Sequence, residues 1–509
     1  MTRMKHGNGL LRALSGLILL TISNFSHALV LAVNDREGFT EYLGITGIAA
    51  GRNAPFRILV PDSWDGTLMV YSRGTGSSVL VQPDGSPIFD ASGLPILSTN
   101  PLANVPNKAF PPGDYEQHDE LRDELLERGY ALASSDYKPD SRFITEGKLA
   151  WIIEDGYRDT IALTLQARRL LRATRGHLPQ RTIHWGRSQG SGIGFKLDEK
   201  NVSRLYDGFI EGCTIGAGAP LSWDFGLIFA VAFDTAFQSQ GGWPATWGDV
   251  GGGNIPETIS FVDDVVPVVV TLLQNPANFP LFEFVRLVSG IPEQEFYPPG
   301  VLPPDPAVLQ QLGLPPGLAE AGSEQFNWLF ISMLFMTEVR DDLEGTAKAN
   351  GRIAQNLNHT YSLSDPAKAY LAALSGGALD ADVLLDAMNQ RPKYRATPRA
   401  RDYVKRYYET TGKLRHKTLT MHGKLDGLAI PANETVLKDR AIVRRKAANL
   451  VQVFTEASGH CNFTAQQWSN TIDAMNSWLD TGEKPDASFF EAPGFDNYFV
   501  PPPWPQPVH

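Results

Sequence analysis

The chain carries a serine between spaced glycines, Gly186-Arg187-Ser188-Gln189-Gly190. Far downstream, and in this order, come an aspartate in His422-Gly423-Lys424-Leu425-Asp426-Gly427 and a histidine in Gly459-His460-Cys461. A neutral serine hydroxyl is a weak nucleophile near neutral pH and needs a base within hydrogen-bond reach. Histidine suits that task because its ordinary pKa lies near neutrality, so it can take the proton and later return it to a leaving group. A carboxylate beside the imidazole fixes the ring tautomer and stabilises the imidazolium. Ser188, Asp426 and His460 are therefore candidates for acyl transfer through a covalent serine intermediate.

The elements around each residue are of the kind that would present it. Thr182 to Trp185 reads as a short strand, and the glycine-rich run from Gly190 through Gly192 and Gly194 opens a helix. A serine at the apex of a strand–turn–helix is forced into strained backbone angles. The residues two before and two after it must be small, so that strand and helix can approach without a Cβ clash. The helix N-terminus beneath the serine favours a developing anion. Lys417 to Met421 and Asn449 to Thr455 read as strands that end at the aspartate and histidine loops, with a helix from Pro431 to Ala448 between them.

Upstream, Glu41 to Ala49, Ala54 to Val60, Thr67 to Ser72 and Tyr130 to Ser135 read as strands, and Tyr206 to Cys213 as the strand after the serine. Helices are expected at Tyr115 to Arg128, Leu149 to Thr174 and Ala465 to Leu479. The alternation of strand and helix is lost between Ala219 and Arg395. Helical segments are expected there at Ile259 to Gln274, Pro280 to Val288, Ser323 to Met336, Asp365 to Leu374 and Asp380 to Met388, with a proline-rich belt from Ile291 to Gly317. This reads as a cap inserted between two strands. Trp328, Phe330 and Phe335 either line a pocket for an apolar substrate or form the cap's own core. The expected division is a leader at 1–28, core segments at 29–218 and 396–484, the cap at 219–395, and a Pro- and aromatic-rich tail at 485–509. That tail either straps onto the surface or stays disordered.

At 509 residues, with 42% hydrophobic and 20% charged residues, the composition is that of a globular protein larger than one compact core. A net charge of −11 with no long basic run argues against nucleic acid as a partner. Arg3, Lys5 and Arg12 precede a short apolar run from Ala13 to Ile22, and Ser26-His27-Ala28 offers a small-x-small cleavage site. The run is too short to span a bilayer comfortably, so a cleaved export signal is expected rather than an anchor, with secretion or a periplasmic location. Cys213 and Cys461 are the chain's 2 cysteines. In an exported protein they either form one disulfide, tying the histidine loop to the core, or remain separate buried thiols.

The segments Gly-Arg-Ser-Gln-Gly, His422 to Pro431 and Gly459-His460-Cys461-Asn462-Phe463 resemble those of the α/β-hydrolase superfamily, and more narrowly secreted serine esterases and prolyl-oligopeptidase-like hydrolases. The resemblance covers the framework, about residues 40–218 and 396–480, and not the cap. It implies an α/β fold with a mostly parallel central sheet flanked by helices and a large, mainly helical cap insertion. It implies Ser188 as nucleophile, Asp426 as acid and His460 as base. The oxyanion hole would come from the backbone N–H groups of Gln189 and Thr75. The loop after the third expected strand reads Arg73-Gly74, where the superfamily usually has His-Gly. Arg73 is then a contact for a substrate carboxylate or an ion-pair partner behind the site.

Other polar residues rank lower. His184 reads as a packed core histidine and His422 as structural. Asp136 would replace Asp426 only if Asp426 pointed away. No metal-ligand spacing, P-loop or dinucleotide fingerprint appears, so no metal and no cofactor is expected. The leading expectation is ester hydrolysis of a small or polymeric substrate. The alternatives are a peptidase of prolyl-oligopeptidase type, which nothing resembling an N-terminal propeller supports, a noncatalytic binding protein on the same fold, and a lyase.

Overall fold

In a computed structural model of the chain, the residues described are 27–49, 52–74, 115–135, 153–200, 205–238, 266–273, 275–292 and 349–505. Nine strands form one sheet: β1 (His27–Arg36), β2 (Phe39–Ala49), β3 (Arg52–Pro61), β4 (Thr67–Ser72), β5 (Ala131–Ser135), β6 (Arg181–Arg187), β7 (Gly208–Gly212), β8 (Lys417–Leu425) and β9 (Leu450–Ser458). Their order across the sheet is β1-β2-β3-β5-β4-β6-β7-β8-β9. β1, β2 and β3 form an antiparallel meander, and β3 joins β5 antiparallel. From β5 to β9 every pairing is parallel. The expected mostly parallel central sheet is therefore present, extended by β1, which the sequence reading did not anticipate. His27 and Ala28, placed in the expected leader, begin that strand; residues 1–26 lie outside the described residues.

Helices cover both faces, because parallel strands need crossovers. α1 (Tyr115–Glu127) places Leu121 and Leu125, one helical turn apart, against one face, and α2 (Ile153–Arg175) places Leu163, Ala167 and Leu171 against the other. Each such buried leucine contributes roughly 1.5–3 kcal/mol relative to exposure. α2 stops where Gly176 takes a φ of 87°, a conformation a side chain would resist. α3 (Gln189–Glu199) follows β6 and packs on the α2 face.

Between β7 and β8 the described residues contain helices and no strand. α4 (Ala219–Phe237) is largely apolar and buried along almost its whole length, and its Phe233 and Phe237 rings pack on Phe282 of a neighbouring helix at centroid distances of 6.0 and 4.6 Å. α5 (Val266–Leu273), α6 (Phe279–Val288), α7 (Asp365–Leu374), α8 (Ala381–Gln390) and α9 (Pro398–Tyr408) complete this region. The Asp224 carboxylate of α4 takes both terminal nitrogens of Arg401 in α9, at 2.8 and 2.6 Å, and Asp234 pairs with Arg391. These buried pairs pin α4 to the chain on its way back to the sheet. α4 and α9 were not expected from sequence. The segment 323–336 and its aromatic cluster lie outside the described residues.

α10 (Ala432–Val443) is shorter than the expected 431–448. Arg445, at φ 57°, breaks the helical path, and residues 447–449 form a single 3-10 turn. α11 (Ala465–Thr481) packs Trp468, Ile472, Met475 and Trp478 beside α1. The tail straps onto the surface. Asp496 N–H donates to Phe454 at 2.8 Å, and Glu456 N–H to Gly494 at 2.8 Å, so the tail covers part of the sheet edge at β9. Among the described residues, no helix is long and apolar enough to cross a membrane.

Candidate active site

Ser188 sits between β6 and α3 with φ 51° and ψ −119°, a region that a residue with a side chain occupies only under strain. The surroundings hold it there. Its N–H donates to Gly212 at the end of β7 at 3.0 Å, and its carbonyl accepts from Ser191 N–H at 2.9 Å and Ser191 Oγ at 2.6 Å. A Cβ at Gly190 would collide with the Ser72 carbonyl of β4, and one at Gly186 would meet Gly190 O at 2.7 Å. The two glycines are therefore required by the closeness of strand and helix.

The structure brings the three residues singled out in the sequence to one place. Ser188 Oγ lies 2.8 Å from His460 Nε2, and His460 Nδ1 lies 2.8 Å from Asp426 Oδ2. The consistent proton arrangement has Ser188 donating to Nε2 and Nδ1–H donating to the carboxylate. Asp426 is sealed from solvent, and its Oδ1 accepts the N–H groups of Leu428 and Ala429, each at 2.9 Å. Backbone donors thus compensate the burial of the carboxylate and leave Oδ2 for the ring. His460 is partly exposed, with 16% of its side chain accessible, so the serine end of the chain opens toward solvent while the acid end is closed.

His422 is buried next to Asp426, its Nε2 3.8 Å from Oδ2. That nitrogen donates to the Ala429 carbonyl at 2.6 Å, and Nδ1 accepts the Thr214 N–H at 3.2 Å. Nε2 thus serves the turn that carries Asp426, while Nδ1 faces the loop after β7, with Glu434 Oε1 3.3 Å away, so the ring ties three segments together in the structural role expected for it.

The histidine loop is fastened twice. Cys461, directly after His460, is disulfide-bonded to Cys213, directly after β7, with their Cα atoms 5.1 Å apart. Arg187, the residue before the serine, is buried and donates from a terminal nitrogen to the Cys461 carbonyl at 3.1 Å. The two sulfurs lie within 4.8 Å of a ring nitrogen of His460, but bonded to each other they offer no thiolate to a metal. Below the loop, Thr464 and Gln467 form a reciprocal capping box that starts α11.

Gln189 is the first residue of α3, and its side chain is 1% exposed with neither carboxamide atom partnered. Thr75 and Asp136 lie outside the described residues. Arg73 is buried and donates to the Gly74 carbonyl at 2.9 Å.

Sequence reasoning overlooked two residues of this neighbourhood. Arg187 stands in the serine motif, but no role was assigned to it. Glu211 was passed over, although a lone acid in the apolar strand Phe209-Ile210-Glu211-Gly212 is a signal of a buried polar contact.

No family model and no curated protein matches this chain. Among solved structures it is similar to an esterase from Aspergillus oryzae, with 12% identity, 88% of this chain and 81% of that chain covered, and a TM-score of 0.38. It is similar to feruloyl esterase B from Aspergillus oryzae, with 12% identity, coverage of 91% and 89%, and a TM-score of 0.39. A cell wall degrading esterase, LipA from Xanthomonas oryzae, follows with 13% identity, coverage of 87% and 91%, and a TM-score of 0.35. With its sheet order, its helices on both faces and its helical insertion between β7 and β8, the chain has the α/β-hydrolase fold.

Proposed function

We propose that this protein is an exported serine hydrolase that cleaves carboxylic esters through an acyl-enzyme. The observation that carries the reading is the unbroken chain from Ser188 Oγ through the His460 ring to Asp426, with 2.8 Å at each step. In this reading Ser188 Oγ attacks the ester carbonyl carbon, and its proton passes to His460 Nε2. Asp426 holds the ring by Nδ1 and stabilises the imidazolium. The carbonyl oxygen becomes an oxyanion held by the backbone N–H groups of Gln189 and Thr75. Collapse breaks the carbon–oxygen bond of the ester, and Nε2–H gives its proton to the departing alcohol. Water, deprotonated by the same nitrogen, then attacks the acyl carbon and frees the carboxylic acid and the serine.

Residues 219–395 act as a cap that shapes the substrate pocket between core segments 29–218 and 396–484. Residues 1–28 act as an export leader whose removal takes His27 and Ala28 from the start of β1 and leaves the rest of that strand paired with β2; an oxidising compartment suits the disulfide beside His460.

Purified protein should hydrolyse p-nitrophenyl acetate or butyrate well above the buffer rate, and Ser188→Ala should lower kcat by on the order of 10³-fold or more. Full activity in Ser188→Ala would remove Ser188 as nucleophile. A wild-type protein silent across acyl lengths would favour a binding role on the same fold.

A further inference from the structure

Beneath the serine turn, neighbouring parallel strands each send one polar side chain into the layer between the sheet and α2 and α3. Ser72 ends β4, His184 lies in β6 and Glu211 in β7, and all are 0% exposed. His184 Nδ1 lies 2.8 Å from Glu211 Oε1, and His184 Nε2 lies 2.8 Å from Ser72 Oγ. Ser72 Oγ in turn lies 3.3 Å from Thr160 Oγ1 of α2. The residue types repeat those of the surface triad, yet the burial bars a substrate, so this serine cannot serve as a second nucleophile.

The glycines of the serine motif house this group. A Cβ on Gly186 or on Gly194 would run into the carboxylate oxygens of Glu211. The same Gly186 that lets β6 meet α3 therefore also makes the space for a buried acid. Glu211 Oε2 has no hydrogen-bond partner. Burial pushes the Glu211 carboxyl well above its ordinary range and drives the His184 imidazole down to about 3, so burial disfavours the charged form of each. In the uncharged pair that burial favours, the donors run one way. Glu211 O–H donates to Nδ1, Nε2–H to Ser72 Oγ, and Ser72 O–H to Thr160 Oγ1.

The end of this relay matters for the reaction. The Ser72 carbonyl is the atom that a side chain at Gly190 would strike, so Ser72 is in close contact with the first turn of α3. Arg73 and Gly74, which follow it, lead to Thr75, the proposed second donor of the oxyanion hole. We propose that the Glu211–His184–Ser72 chain is a positioning relay that sets the end of β4 against the serine turn and the first turn of α3, and so fixes the Gln189 N–H relative to Ser188. The proposal rests on the serine-hydrolase reading and adds to it residues that touch no substrate.

The test compares Ser72→Ala and Glu211→Leu with wild type, each rate being expressed per Ser188 titrated with a fluorophosphonate so that unfolded protein does not count. A boronic acid, which mimics the tetrahedral adduct, supplies a binding readout. The relay predicts a fall in kcat of about tenfold in each variant with KM nearly unchanged, and a parallel loss of boronate affinity. Glu211→Gln keeps a neutral donor toward Nδ1 and should recover several-fold of the loss seen in Glu211→Leu. Variants that match wild type in kcat and boronate affinity per titrated serine, or that lose only folded protein, overturn the relay. If wild type shows no ester turnover, the serine-hydrolase reading fails and the relay falls with it; if wild type is active and Ser72→Ala equals it, the relay alone fails.

Discussion

Cys213 and Cys461, 248 residues apart in the chain, are joined by a disulfide that fastens the neighbour of His460 to the end of β7. The preceding residue of β7, Gly212, accepts the Ser188 N–H. Ser188 and His460 therefore share one anchor. Breaking the bond in Cys213→Ala/Cys461→Ala should cost about 2–5 kcal/mol of stability, measured by urea unfolding. It should also lower kcat in conditions where the protein stays folded, because of the two fastenings of the loop the Arg187 contact to the Cys461 carbonyl then remains alone. A double variant with wild-type kcat would show that the loop is positioned without the bridge.

Gln189 buries a carboxamide with both polar atoms unpartnered. A buried polar group without a partner carries its desolvation cost with no return. Gln189→Met keeps the backbone N–H assigned to the oxyanion hole and replaces the amide with an apolar chain of similar length. It should raise stability by about 1 kcal/mol in urea unfolding. A loss of stability would mean that the carboxamide makes a contact worth more than its desolvation.

The buried pair Glu211 and His184 gives stability a pH signature. The folded pKa of Glu211 is raised by burial above its ordinary 4.5, so its contribution is complete below that value and is lost as pH rises toward the folded value. His184 is shifted the other way, by burial, to about 3 from 6.5, so its contribution is complete above 6.5 and is lost as pH falls toward 3. Glu211→Gln removes only the first effect. Its stability relative to wild type should climb as pH rises above 4.5 toward the folded value, with a slope of at most about 1.4 kcal/mol per pH unit. A difference that stays flat across that range would mean that Glu211 is ionised in the folded protein.

The catalytic candidates were legible because their chemistry leaves marks that burial cannot erase. Ser188 needed glycines at fixed distances, and Asp426 and His460 each closed a strand. The loop lengths between them were those of one helix and one strand. Elements that lack a polarity contrast were not legible. α4 is largely apolar and buried along almost its whole length, and so shows no 3.6-residue pattern. β1 carries Leu29, Leu31 and Val33 on its exposed face, so the alternation of polar and apolar residues that marks a half-buried strand is missing. α9 hides a narrow stripe of Ala400, Val404 and Tyr408 among five charged residues, and one of these, Arg401, is itself buried against Asp224. His184 was correctly read as a core histidine. Its partner Glu211 was missed because the two belong to different strands, and only the register of β6 on β7 brings them together.

The most direct test of the central claim is to mix the purified protein rapidly with p-nitrophenyl acetate and digest the quenched sample for mass spectrometry. The account predicts a burst of about one p-nitrophenolate per chain and an acetyl group on the peptide bearing Ser188. An acetyl group on another residue, or ester turnover that persists undiminished in Ser188→Ala, would contradict it.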